Sequence, residues 1–213
     1  MARGEVIIDA VVPARDAAAT IGAVLAALPH RRLRSVVVVD RCSHDDTALV
    51  ARDHGALVLR PAHGGYGAAC LTAQAHLATL PTPPDAVLFV GGEALGDARQ
   101  AELLLAPLLD ERAELAVATH RRRFAPAERA LMGLIRAVYD HRFEGLGASR
   151  AIRFPALVAL GMRDEHDGWD VEMLVRALKL GLDIAEIRID GSAHSLTPAA
   201  RSLFHIVRHA TLR

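Results

Sequence analysis

Cysteine is almost missing from this chain. Two residues among 213, Cys42 and Cys70, exclude a disulfide framework and a cysteine-built zinc site. A reducing cytoplasm is the expected setting. Long apolar runs are missing too, since none reaches the roughly 18 residues of a membrane-spanning helix. The opening MARGEVIIDAVV is too short in its apolar part, and too interrupted by acids, for a secretion signal. No sign of charge dominates: 25 acidic residues face 25 basic ones. That balance argues against a disordered chain and against nucleic acid as a partner. Lysine is nearly absent, with Lys179 alone among many arginines. The planar arginine fork suits phosphate and carboxylate recognition, but a general preference for Arg and Ala accounts for the bias. No internal repeat or low-complexity linker divides the chain. It reads as one domain, 1–213, with a half over about 5–119 and a second half over about 120–213 that ends in a helix.

Apolar residues are plentiful, at 52%, and they are periodic. Val6–Val12, Arg34–Asp40, Ala56–Arg60, Ala86–Val90, Leu115–Thr119 and Ile184–Ile189 read as short strands, with another beginning at Arg150. Pro13 is expected to end the first, because proline cannot donate to a ladder. Helical stretches alternate with them: Ala17–Leu28 with Asp16 as its N-cap, Thr47–His54 closed by Gly55, Ala68–Leu80, Asp97–Leu109, Ala127–Tyr139, Trp169–Leu180 stopped by Gly181, and Pro198–Thr211. Strands alternating with helices at this spacing predict an α/β fold with a mainly parallel sheet flanked by helices.

The stretch VVVVDRCSHDDT, Val36–Thr47, is the centre of the pattern. A buried strand ends on Asp40 at its carboxyl edge, where open α/β sheets bind ligands. A carboxylate there accepts N–H groups such as those of a nucleotide base. Gly64, Gly65 and Gly67 permit close backbone approach.

Four stretches together resemble the family 2 glycosyltransferases of the GT-A fold, nearest their dolichyl-phosphate-mannose-synthase-like branch. Val12–Asp16 is similar to the opening V-P-A-x-N. Val39–Thr47 is similar to V-D-D-G-S-x-D-x-T. Gly65–Ala69 is similar to G-x-G-A-A, and Asp167–Met173 with Glu186-Ile187 to Y-G-W-x-x-E-M … E-V-P. The resemblance spans about residues 5–211. It implies a GT-A fold and transfer of a sugar from a UDP- or GDP-linked donor to a polyprenyl phosphate or small hydroxylated acceptor. Ala14, Asp16, Asp40, Gly65 and Gly67 would then bind the nucleotide. Asp170 and Glu172 would orient or deprotonate the acceptor.

Departures from the family pattern are specific. Its second aspartate is Arg41 and its glycine Cys42. Its metal-binding D-x-D is Gly91-Gly92-Glu93, and a later aspartate is Gly145. A Mg²⁺ or Mn²⁺ ion would rest on Glu93, with His194 as a late ligand, because magnesium is often held by one or two carboxylates plus phosphate oxygens. Arg41 could supply part of the missing charge. The same losses suit a second reading, a degenerate member that binds nucleotide or protein without turnover. A nucleotidyltransferase ranks last, since VVPARDAAAT lacks the glycine and lysine of such a loop. The basic face of the final helix offers peripheral membrane contact, though a core-covering helix serves as well.

Overall fold

The computed structural model describes residues 5–120, 126–144 and 147–190. Seven strands form one sheet: β1 (Ile8–Ala14), β2 (Ser35–Asp40), β3 (Leu57–Leu59), β4 (Ala86–Phe89), β5 (Leu115–Thr119), β6 (Arg150–Arg153) and β7 (Ile184–Arg188). Their order is β3-β2-β1-β4-β6-β5-β7. All pairs are parallel except those of β6, which runs antiparallel to both β4 and β5. The α/β expectation is met, with the sheet mainly parallel.

Valine explains β2. Its branched side chains suit a pleated, doubly covered surface. Val37 and Val39 face one apolar layer while Val38 faces the other. The helices divide accordingly. Helices α1 (Ala18–Ala27), α2 (Thr47–Asp53), α4 (Leu95–Arg99) and α5 (Ala101–Leu109) cover one face. Helices α3 (Tyr66–Ala78), α6 (Pro126–Tyr139), α7 (Phe154–Leu160) and α8 (Trp169–Leu180) cover the other. Gly55 and Gly181 close α2 and α8 with φ of 78° and 68°, the left-handed conformation a C-terminal glycine supplies.

Three expectations need correction. Pro13 does not end β1, which continues to Ala14. The Pro13 carbonyl accepts from Gly92 N on the β4 side, and β4 has already ended at Phe89. The missing N–H therefore falls beyond the last ladder pair. Asp16 does not cap α1. Thr47 Oγ1 accepts from Ala17 N at 2.8 Å and Asp45 Oδ2 from Ala18 N at 3.0 Å, so the cap comes from the second loop. The helix expected over Asp97–Leu109 is two helices that meet at Gln100. That side chain leaves the helix line to bond the backbone of Asp190 through both its amide groups, tying the exit of β7 to α5.

Candidate functional site

The carboxyl ends of β1, β2 and β4 meet where the chain order reverses, on either side of β1. Such a switch point is where parallel sheets open a crevice for ligands. Three loops line it: 15–17, 41–46 and 91–94. The first two are zipped together. Asp16 N donates to Ser43 Oγ at 3.0 Å, and His44 N donates to Asp16 Oδ1 at 2.7 Å. Asp16 takes a φ of 48° and Cys42 one of 59°. The turn at Cys42 thus needs the left-handed conformation for which glycine is the default. The third loop lies against the first. A Cβ on Gly92 would stand 2.7 Å from the Ala14 Cβ, and Thr20 Oγ1 donates to the Gly92 carbonyl at 3.1 Å.

Asp40 ends β2 with no exposed surface. Its Oδ1 accepts from Ser43 N at 3.0 Å, and its Oδ2 faces Arg60 Nε at 3.0 Å. Burial pushes this carboxyl up. The Ser43 side chain and backbone, then Arg60, outweigh it and hold Asp40 below its ordinary value. The Arg60 side chain is 67% exposed, so it covers Asp40 from the solvent side. Arg41 is turned aside. Its Nε donates to the Gly64 carbonyl at 3.2 Å and its guanidinium lies 5.5 Å from the Tyr66 ring centre.

Gly65 and Gly67 lie against the 163–166 loop. A Cβ on either would fall about 2 Å from a backbone carbonyl, that of Glu165 for Gly65 and Asp164 for Gly67. Gly67 N donates to His166 O, and Ala68 N to Glu165 O. The glycines let the start of α3 dock on the 163–166 loop. That loop is held by Glu172, whose Oε2 accepts from Arg163 N at 3.0 Å and Asp164 N at 2.8 Å. Its Oε1 pairs with Arg176 Nε at 2.8 Å. Asp170 is equally internal. Arg150 Nη2 lies 2.7 Å from its Oδ1, a charge contact outside hydrogen-bond geometry, and Arg150 also donates to the Gly147, Ala148 and Asp170 carbonyls. Burial, opposed by Arg150 and reinforced by Asp167 and Asp164, raises the Asp170 carboxyl to about 6. In this geometry Glu172 and Asp170 hold loops and helices together.

Glu93 stands on the exposed turn after β4, beside Gly91, where an added Cβ would meet only the Ala94 Cβ at 3.7 Å. Among the described residues no group of three His, Cys, Asp or Glu side chains is placed to hold a metal ion. His194, Gly145, Arg121–Arg123 and the helix expected over 198–211 lie outside the described residues. The described helices include none long and apolar enough to cross a membrane. Of the two thiols, Cys42 is exposed and Cys70 is buried in α3, where burial and then Asp170 push it well up.

Sequence reasoning passed over one constellation. Asp97 on α4 is hydrogen-bonded to both His120 after β5 and Ser149 before β6. Their only sequence signal is that His120 and Ser149 flank strand ends.

Sheet order, switch-point crevice and acidic strand end define a nucleotide-diphospho-sugar transferase fold of the GT-A type. Solved structures agree on that fold. Glucosyl-3-phosphoglycerate synthase from Mycobacterium tuberculosis with phosphoglyceric acid matches with a TM-score of 0.83 and 22% identity over 97% of this chain and 80% of that one. The same enzyme with Mn²⁺, uridine diphosphate and phosphoglyceric acid matches at 0.82 and 21% over 99% and 80%. No protein-family model matches the chain. A closer likeness comes from sequence: the "Uncharacterized glycosyltransferase Rv0539" of Mycobacterium tuberculosis and Mb0553 of Mycobacterium bovis are each 32% identical over 193 residues, 85% of this chain and 84% of theirs. The chain belongs to this glycosyltransferase family.

Proposed function

We propose that the protein transfers a sugar from a nucleotide-sugar, with UDP as the first nucleotide to test, to the hydroxyl of a small anionic acceptor. The observation that carries the donor reading is Asp40, a carboxylate held ionised at the strand end beside the switch point. It meets the N–H edge of uracil when Arg60 swings outward. Ala14 and the Asp16 loop line the remainder of the nucleotide's bed. The UDP and phosphoglyceric acid bound by the structural neighbours support both halves of this reading. They favour a small acceptor over the polyprenyl phosphate of the dolichyl-phosphate-mannose-synthase-like branch.

A divalent cation fits the turn after β4 in one way. Glu93 would hold it, with diphosphate oxygens and water completing the shell, and the ion would neutralise charge on the leaving diphosphate. The protein's own part is to bind the base at Asp40, to hold the 91–94 loop against Ala14, and to keep the 163–166 loop in place through Glu172. The reduced D-x-D, Gly91-Gly92-Glu93, and the internal pairing of both α8 carboxylates support the second reading, a binding protein without turnover. Incubation with UDP-glucose and GDP-mannose, with Mn²⁺ present, separates them. Transfer or hydrolysis is expected with one donor; nucleotide binding with no release of nucleoside diphosphate from either would establish the second reading.

A further inference from the structure

Three polar side chains from separate elements meet where the donor site leaves them unused. Asp97 Oδ1 lies 2.9 Å from His120 Nε2, and Ser149 Oγ donates to Asp97 Oδ2 at 2.6 Å. Asp97 is 4% exposed and Ser149 1%, while the imidazole keeps 6% of its surface open. Buried groups of this kind are costly unless hydrogen-bonded, and here the carboxylate is satisfied on both oxygens. The place matters. His120 follows the last residue of β5, Ser149 precedes the first of the antiparallel β6, and Asp97 stands four residues beyond Glu93. The unit therefore lies at the carboxyl edge of the sheet, on the side of β4 away from Asp40. With the nucleotide over β1 and β2, an acceptor approaches a sugar at β4 from this side.

The tautomer follows from the partner. A carboxylate only accepts, so Nε2 carries a proton. On the flanking strands, Arg150 is paired with Asp170 and Arg188 with Glu144. An imidazole oriented by a carboxylate through one ring nitrogen is the arrangement of a general base.

We propose that His120 takes the proton of the acceptor hydroxyl, with Asp97 as its positioning residue and Ser149 fixing Asp97. The proposal rests on the donor reading of the β1–β2–β4 edge. In the step, the acceptor oxygen bonds to the anomeric carbon as the bond from that carbon to the diphosphate oxygen breaks. The electron pair leaves with the nucleoside diphosphate, and the hydroxyl proton passes to His120 Nδ1. The acceptor's reacting group is thus a neutral hydroxyl, since an anionic phosphate oxygen needs no base.

The probe is UDP-glucose with water as acceptor, after calorimetry with UDP has shown that each variant still binds the nucleotide. Wild-type turnover is expected to fall on the acid side, as a base-assisted step does. His120→Ala lowers kcat by about 100-fold or more, the usual weight of a general base, loses the acid limb and regains rate when imidazole is added. Asp97→Asn lowers kcat and leaves UDP affinity unchanged. If the His120→Ala loss is uniform with pH and imidazole restores nothing, the assignment is overturned. It is also overturned if wild type binds UDP yet releases no glucose at any pH. Should His120→Ala fail to fold, His120→Gln, which can still donate to Asp97, is judged by loss of the acid limb. Failure of the wild type to bind UDP is a separate result, which removes the donor reading and the base assignment with it.

Discussion

Asp40 and Asp170 are both buried carboxylates beside an arginine, yet their titrations run in opposite directions. At Asp40 the Ser43 and Arg60 hydrogen bonds beat burial, and the folded value lies below the ordinary 3.8. Its contribution to stability is full above 3.8 and is lost as pH falls through the lower folded value. At Asp170 burial beats Arg150, and the folded value is about 6. Its ionised form is disfavoured in the fold, so stability should decline as pH rises from about 4 to about 6 and level off above that. Denaturant midpoints measured across this range should show the decline in the wild type and lose it in Asp170→Asn; an unchanged slope would refute the assignment. Glu172 yields a different prediction. Glu172→Ala leaves Arg176 and two backbone N–H groups without their acceptor and should cost about 3–5 kcal/mol in chemical denaturation. A change within about 0.5 kcal/mol would mean the carboxylate holds nothing. Asp40 could be placed from sequence because a strand end at an acidic residue is a local pattern. Arg176, four residues beyond Glu172 on α8, is likewise a local helical pair, but the other partners of Asp170 and Glu172 could not be placed, since Arg150 lies 20 residues from Asp170 and the N–H groups on Glu172 come from a loop with no pattern of its own. The Asp97 cluster was hidden for the same reason, its members lying 23 and 52 residues apart.

At the scale of elements, runs of valine and alanine make the strands legible, and Gly55 and Gly181 mark helix ends through a local backbone demand. What local pattern misses is a neighbour. Pro13 is tolerated because β4 has ended, α1 is capped from the second loop, and Gln100 breaks a helix to reach β7. The start of α3 is another such case. Gly67→Ala would press a Cβ to 1.9 Å from the Asp164 carbonyl, and overpacking of this kind should cost about 1–3 kcal/mol or more. Gly91→Asp is expected to behave differently, because only the Ala94 Cβ stands near. It returns a carboxylate to the turn after β4 without steric cost. The variant should melt like the wild type and bind UDP more tightly with Mn²⁺ than without, by a larger margin than the wild type; equal margins would show that the turn does not face the diphosphate.

For the whole molecule, alternation of strands and helices predicted the α/β class, but not the place of each strand. β6 enters antiparallel between β4 and β5 and brings Ser149 and Arg150 to the carboxyl edge. Strands from both halves of the chain interleave in one sheet. The glycosyltransferase family membership and the Asp40 crevice converge on a nucleotide as the first ligand. The direct test is titration calorimetry of UDP into the wild type and Asp40→Asn, each with and without Mn²⁺. Saturable binding to the wild type, weakened about tenfold or more when the buried charged acceptor is lost, is the expected result. No binding of UDP under either condition, or equal affinity in the Asp40→Asn variant, would contradict the account.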